Sequence, residues 1–159
     1  MTNWLTLEQQ QSWRAWLSAS RLLSDQLNRD LQDQQGLTSA DYEILVWLSE
    51  APDRRLRMSE LAERTLSSRS RLSHQIDRME GAGLVARFVC TEDRRGSFAA
   101  LTEEGWSTLV AAAPDHVASV RSHLVDALTP EEFRALGSAC QKISDRLQAT
   151  QVCPDRPRD

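Results

Sequence analysis

The sequence predicts a mainly α-helical fold with one small β-hairpin, on three observations. Thr6, Thr38 and Thr129 are each followed three residues later by Gln, Asp or Glu, and each opens a run of apolar residues at helical spacing. Between Leu84 and Leu101 that spacing gives way to two short strand-like runs around a turn. At 159 residues and 40% hydrophobic content, the chain suffices for one ordinary domain, or for a small domain with an attached helical assembly region.

In chain order, Thr6-Leu-Glu-Gln9 has the spacing of a capping box, and Trp13, Trp16, Leu23, Leu27 and Leu31 recur at helical intervals until Gly36. Thr38 to Asp41 opens a second helix through Tyr42, Leu45, Val46 and Leu48, ended by the Ala51-Pro52-Asp53 turn. Ser59 is expected to cap a short third helix containing Leu61 and Ala62. Ser67 to Gly81 reads as a fourth, whose apolar positions Leu72, Ile76 and Met79 form one narrow face. Gly81-Ala-Gly83 stops it, and Leu84 to Cys90 and Gly96 to Leu101 form a hairpin with an Asp-Arg-Arg tip. Thr102-Glu-Glu opens a fifth helix, which Pro114 is expected to kink or interrupt. Thr129-Pro-Glu-Glu132 opens the last, carrying Phe133, Leu136, Cys140, Ile143 and Leu147. The reading is therefore a single domain over residues 1–159: a lobe at 38–105, helical regions at 6–35 and 106–150, and a flexible tail at 151–159.

The net charge of −4 is unevenly spread. From Arg54 to Leu101 there are ten arginines against six acids, a local +4, while the remainder holds nine basic and seventeen acidic residues, or −8. No basic leader precedes an apolar core, and no stretch approaches the roughly 18 apolar residues of a membrane span. A cytoplasmic protein with no membrane partner is expected. Cys90, Cys140 and Cys153 are odd in number and far apart, which argues against a disulfide framework and a zinc cluster, so no metal or other cofactor is expected. The chain lacks GxSxG, a phosphate-binding glycine loop, and a cysteine with a histidine partner in motif context, so no enzyme is expected.

The fourth helix meets the requirements of a groove reader. Turning 100° per residue from Leu72 puts Ser70 and His74 nearly opposite the core, with Ser67, Arg71, Ser73, Asp77 and Arg78 on the flanks. Ser67, Ser68, Ser70 and Ser73 are small enough for close approach, while Arg69, Arg71, His74 and Arg78 reach phosphates or base edges. By itself this face is equally a solvated helix surface. The hairpin directly after it, with Arg94 and Arg95 at a tip suited to a narrow minor groove, turns the balance to duplex DNA and a winged helix-turn-helix.

The sequence resembles the MarR family of transcription regulators. The residues that carry the resemblance are Met58-Ser-Glu-Leu-Ala-Glu63, Leu72-Ser-His-Gln-Ile-Asp-Arg-Met-Glu80, Gly83-Leu-Val85, Asp93-Arg-Arg-Gly96 and Leu101-Thr-Glu-Glu-Gly105. The resemblance implies a homodimer held by the first and last helices on a pseudo-palindromic operator, acting as a repressor released by a small aromatic or anionic ligand. It places Ser70, Ser73 and His74 at base-facing positions and Arg95 at the wing arginine. His74 stands where many relatives have arginine, a departure that bears on base preference and on the pH dependence of affinity.

For the ligand, Trp13, Arg14, Trp16, Arg21, Trp47 and Trp106 offer aromatic walls and cationic anchors suited to an aromatic acid. The competing use of these tryptophans is core or dimer packing. A second function class on the same scaffold is a thiol-based redox sensor, in which oxidation of Cys90 moves Arg94 and Arg95.

Overall fold

Residues 2–89 and 96–151 are described by the computed structural model of the protein. They fall into two compact units, Met1–Ser119 and Val120–Asp159. The hairpin tip with Cys90, Arg94 and Arg95 and the tail beyond Gln151 lie outside the described residues.

The cap signals build the first unit. Helix α1 (Leu7–Gln35) starts on the Thr6 capping box shared with Gln9 and ends on Gly36, whose φ of 67° is the left-handed conformation that glycine adopts without penalty. Helix α2 (Ser39–Glu50) starts on a second capping box between Thr38 and Asp41. The Asn28 carboxamide of α1 accepts the Ser39 amide at 3.0 Å, fixing the angle between these helices.

The sheet has three strands, where the sequence reading expects two. Beyond the Pro52–Arg54 turn, β1 (Arg55–Arg57) pairs antiparallel with β3 (Ser97–Leu101), which also pairs with β2 (Val85–Val89), giving the order β1-β3-β2. Leu56 and Arg87 both lie opposite Ala99, and Leu56, Ala99, Val85 and Leu101 turn inward. Pairing across 43 positions of sequence is what defines β1, and no local pattern in Arg-Leu-Arg announces it.

Helix α3 (Met58–Arg64) leaves β1 directly, so Arg57 occupies the cap position and Ser59 lies inside the first turn. The expected Ser59 cap is thereby corrected: the strand's exit fixes where the helix begins. Helix α4 (Arg69–Gly81) begins two residues later than Ser67, on Ser68, whose hydroxyl accepts the Arg71 amide at 3.2 Å.

The ends of α3 and α4 share one geometry with different residues. After α4, the Leu84 amide donates to the Met79 carbonyl and the Gly83 amide to that of Glu80, a Schellman closure with Gly83 at φ 76°. After α3, the Ser67 amide donates to Ala62 at 2.9 Å and the Leu66 amide to Glu63 at 3.2 Å, with Leu66 itself at φ 50°. For an L-residue with a bulky side chain that backbone costs about 1–2 kcal/mol.

The core lies among α2, α3, α4 and the sheet. Ile44, Leu45, Leu48, Leu61, Leu72 and Ile76 are almost wholly buried there, joined by Leu109 and Ala112 of α5 (Glu103–Val120). The first half of α5 thus packs into the lobe, so the lobe's core extends past residue 105. Gly105 makes this possible: a Cβ there would stand 2.0 Å from the Leu84 carbonyl oxygen. The Thr102 hydroxyl secures the same junction, accepting the Gly105 amide at 2.9 Å and donating to the Gly83 carbonyl at 2.7 Å. Helix α5 runs through Pro114, so of the two expected outcomes, a kink or an interruption, the interruption does not occur. Pro114 and Val110, whose carbonyl loses its donor, both face water, while Leu109 and Ala112 anchor the opposite face. Asp30 of α1 accepts a hydrogen bond from the Ser119 hydroxyl, and the Gln35 carboxamide donates to Asp115 at 3.1 Å, pinning α1 to α5.

In the second unit a π-type turn at Arg121–Val125 precedes α6 (Pro130–Gln151). Thr129 and Glu132 form its capping box, and hydrogen bonds from the Thr129 amide and then its hydroxyl hold the Glu132 carboxyl below its usual pKa. Its apolar residues Phe133, Ile143 and Leu147 are exposed.

Candidate nucleic-acid interface

Helix α4 divides cleanly into two faces. Leu72, Gln75, Ile76 and Met79 are buried, while Arg69, Ser70, Arg71 and His74 are exposed, as the 100° turn requires. Ser68 sits exposed at the cap, and Ser67 is half-buried just before it, its hydroxyl donating to the Thr65 carbonyl at 3.3 Å. The first turn of any helix has amides without intrahelical partners and carries the positive end of the dipole, so this end favours an anion.

Two open clefts border the exposed face. One, of about 390 Å³, is lined by Arg57, Arg69, Ser73 and Arg87 and by Gly96 and Ser97 at the base of the hairpin. The other, of about 440 Å³, is lined by Asn28, Thr38, Arg71, His74 and Arg78. Both set arginines beside small polar side chains.

Two of the expected contact residues have partners inside the chain. The Arg78 guanidinium donates to the buried Asp41 carboxylate at 2.6 Å, and the Gln75 carboxamide donates to the same oxygen at 3.3 Å. The other Asp41 oxygen accepts the Thr38 hydroxyl at 2.6 Å and the Thr38 amide at 3.1 Å. Burial alone raises the Asp41 pKa, but the Thr38 hydroxyl, Arg78 and the Thr38 amide outweigh it and hold the carboxyl below the usual aspartate value. The cap of α2 therefore also orients α4. Asp41 and Gln75 are positioning residues that sequence reasoning did not single out; the signal for Asp41 is its acid at the third position of a capping box, followed by the turn of α4 that faces it.

Ser73 is half-buried and meets Arg87 of β2. The Arg87 guanidinium donates to the Ser73 carbonyl at 3.2 Å and pairs with Asp77 at 2.8 Å, while the Arg87 amide donates to the Glu80 carboxylate at 2.9 Å. Strand β2 is an edge of the sheet, so α4 supplies the partner for its outward amide. The helix and the hairpin strand are thereby clamped together.

The six residues expected to line a ligand pocket lie on three helices, α1, α2 and α5. Trp13, Arg14, Trp16 and Arg21 are exposed on α1. Trp47 and Trp106 pack against the core, where the Arg64 guanidinium lies over Trp47 at 5.0 Å and that of Arg54 over Trp106 at 4.3 Å. None of the six lines either cleft beside α4.

With this geometry established, comparison with known proteins identifies the family. The family model for MarR matches residues 35–96. The crystal structure of AbsC, a MarR family transcriptional regulator from Streptomyces coelicolor, is 53% identical with a TM-score of 0.88, covering 93% of this chain and 99% of that one. A second MarR family regulator from the same organism, crystallised in complex with DNA, is 45% identical with a TM-score of 0.90, covering 93% and 92%. The HTH-type transcriptional repressor YetL of Bacillus subtilis is 30% identical over 114 residues, which are 69% of this chain and 68% of YetL. The chain belongs to the MarR family of DNA-binding transcription regulators.

Proposed function

We propose that the protein is a homodimeric repressor that grips a pseudo-palindromic duplex operator with one winged helix-turn-helix per subunit and is released by a small aromatic or anionic ligand. The observation that carries the DNA-binding part is the face of α4: Arg69, Ser70, Arg71 and His74 stand exposed on a helix whose other side is locked into the core. Ser70 and His74 read base edges, and Ser67, Ser68, Arg69 and Arg71 hold phosphates at the helix start. Ser73 and Arg78 act mainly through Arg87 and Asp41, which set the angle of the helix. Arg94 and Arg95 at the hairpin tip anchor the minor groove. The similar Streptomyces regulator crystallised with DNA supports the same reading.

The dimer is supported by the exposed Phe133, Ile143 and Leu147 of α6 and by Trp13 and Trp16 of α1, apolar faces of the kind that a second copy covers. The repressor role is supported by the similarity to YetL. For the ligand, Trp47 and Trp106 supply built-in fluorescence reporters under their arginines.

The test is to select bound fragments from the source genome and measure their affinity for the full chain across a range of salt. A steep loss of affinity with salt is expected. Ser70→Ala and His74→Ala should change which fragments win, whereas Arg95→Ala should weaken all of them alike. Equal loss on every fragment from all three variants overturns the division between reading and anchoring. Titration of aromatic acids into the bound complex checks the ligand, and no release across a broad panel removes that part.

A further inference from the structure

The turn between α3 and α4 carries a residue that the folded chain by itself does not justify. Leu66 fills the left-handed position of a Schellman closure at φ 50°, as Gly83 does after α4, and Gly36 supplies the same backbone conformation at the end of α1. Its side chain is 84% exposed and takes no part in the core. Both its backbone and its side chain are thus placed unfavourably.

The other non-glycine residues of positive φ show what local compensation looks like. Asp53 has the short polar side chain that tolerates this conformation. Arg54 lays its guanidinium over Trp106 and pairs with Glu103 at 3.3 Å. Leu66 has no such gain among the described residues, and glycine or asparagine would serve the turn better.

Its position indicates where the gain lies. Leu66 stands two residues before Ser68, the cap of α4, and three and four residues before the exposed Arg69 and Ser70. We propose that Leu66 is a specificity-determining contact of the DNA-binding face, packing its isobutyl group on the apolar surface of the duplex. That surface is the deoxyribose carbons of the backbone or a thymine 5-methyl group. A duplex presents anionic oxygens to the neighbouring arginines and an apolar edge to the leucine at once. The inference rests on the DNA-binding reading above.

The experiment uses the full chain and its selected operator, with Leu66→Gly, Leu66→Asn and Leu66→Met as variants. The Gly and Asn variants should melt at or above the wild-type temperature and bind about tenfold more weakly. Their salt dependence should match wild type, because no phosphate contact is lost. Leu66→Met, which keeps an apolar side chain, should retain most of the affinity. Exchange of operator thymines for deoxyuridine, one at a time, identifies the source. A methyl whose removal weakens wild type but not Leu66→Gly is the contact; insensitivity at every thymine assigns it to the sugars.

Wild-type affinity in the Gly and Asn variants overturns the proposal. So does a lowered melting temperature, a changed oligomeric state, or a loss in Leu66→Met as large as in Leu66→Asn. If wild type binds no duplex even at low salt, the DNA-binding reading falls and this proposal falls with it; operator binding that is indifferent to Leu66 removes the leucine contact alone.

Discussion

The helix-turn-helix lobe and α6 solve the same problem in opposite ways. In the lobe, Ile44, Leu45, Leu48, Leu61, Leu72 and Ile76 are sealed inside one cluster, and even the backbone of α5 is pressed against the Leu84 carbonyl at Gly105. In α6 none of the described side chains is buried, and Ile143 and Leu147 are 53% and 58% exposed although they recur at helical spacing. One region carries its own stability. The other has an amphipathic pattern whose apolar side stays exposed among the described residues, and such a pattern gains only when something covers it.

One substitution made in both regions tests this contrast most sharply. Gly105→Ala drives a methyl into the Leu84 carbonyl and Leu101 side chain and should cost about 3 kcal/mol or more, read as a large fall in the urea midpoint. Gly137→Ala in α6 meets nothing within 4 Å and should stabilise by roughly 0.5–1 kcal/mol. Similar effects at both sites would erase the distinction.

The second test concerns the cover of α6. Ile143→Glu with Leu147→Glu should leave the melting of the lobe intact while weakening self-association on the order of a hundredfold, followed by light scattering across concentration. An unchanged mass at all dilutions would mean that a second copy does not occupy this face.

A third test concerns Asp41. Its carboxyl has a lowered pKa in the folded chain, so its contribution is fully present above the unfolded aspartate value and is lost as pH falls through the lower folded one. Asp41→Asn should therefore cost about 1–2 kcal/mol at neutral pH and flatten the acid side of the stability profile. Burial lowers the His116 pKa, where the ring lies against Tyr42 at 4.4 Å between centroids. Protonation of His116 thus adds an independent loss of stability as pH falls below the unfolded histidine value, and that loss should persist in Asp41→Asn.

What the sequence made legible is what local chemistry decides. The boxes at Thr6, Thr38 and Thr129 need only a hydroxyl and a side-chain acceptor three residues apart, and all three form as read. The two faces of α4 follow from Leu72, Ile76 and Met79 and the helical turn. What was not legible depends on residues distant in sequence. Strand β1 exists because Leu56 meets Ala99, and with it the cap of α3 moves from Ser59 to Arg57. Pro114 is tolerated because water reaches Val110. Arginines from other elements lie over Trp47 and Trp106, contacts that no spacing in the sequence announces. The roles of Arg87 and Arg78 likewise depend on where Ser73, Asp77 and Asp41 arrive in space.

Arg87 gives the lobe a mechanical character. Because one side chain of β2 holds the Ser73 carbonyl and the Asp77 carboxylate of α4, and its own amide holds Glu80, any rotation of the helix carries that strand with it. The helix and the strand leading to the hairpin tip behave as two jaws of one calliper, set to a fixed gauge. On the proposed reading, a duplex that is overtwisted or unwound changes its groove-to-groove spacing without changing a single base, and would meet that fixed gauge out of register.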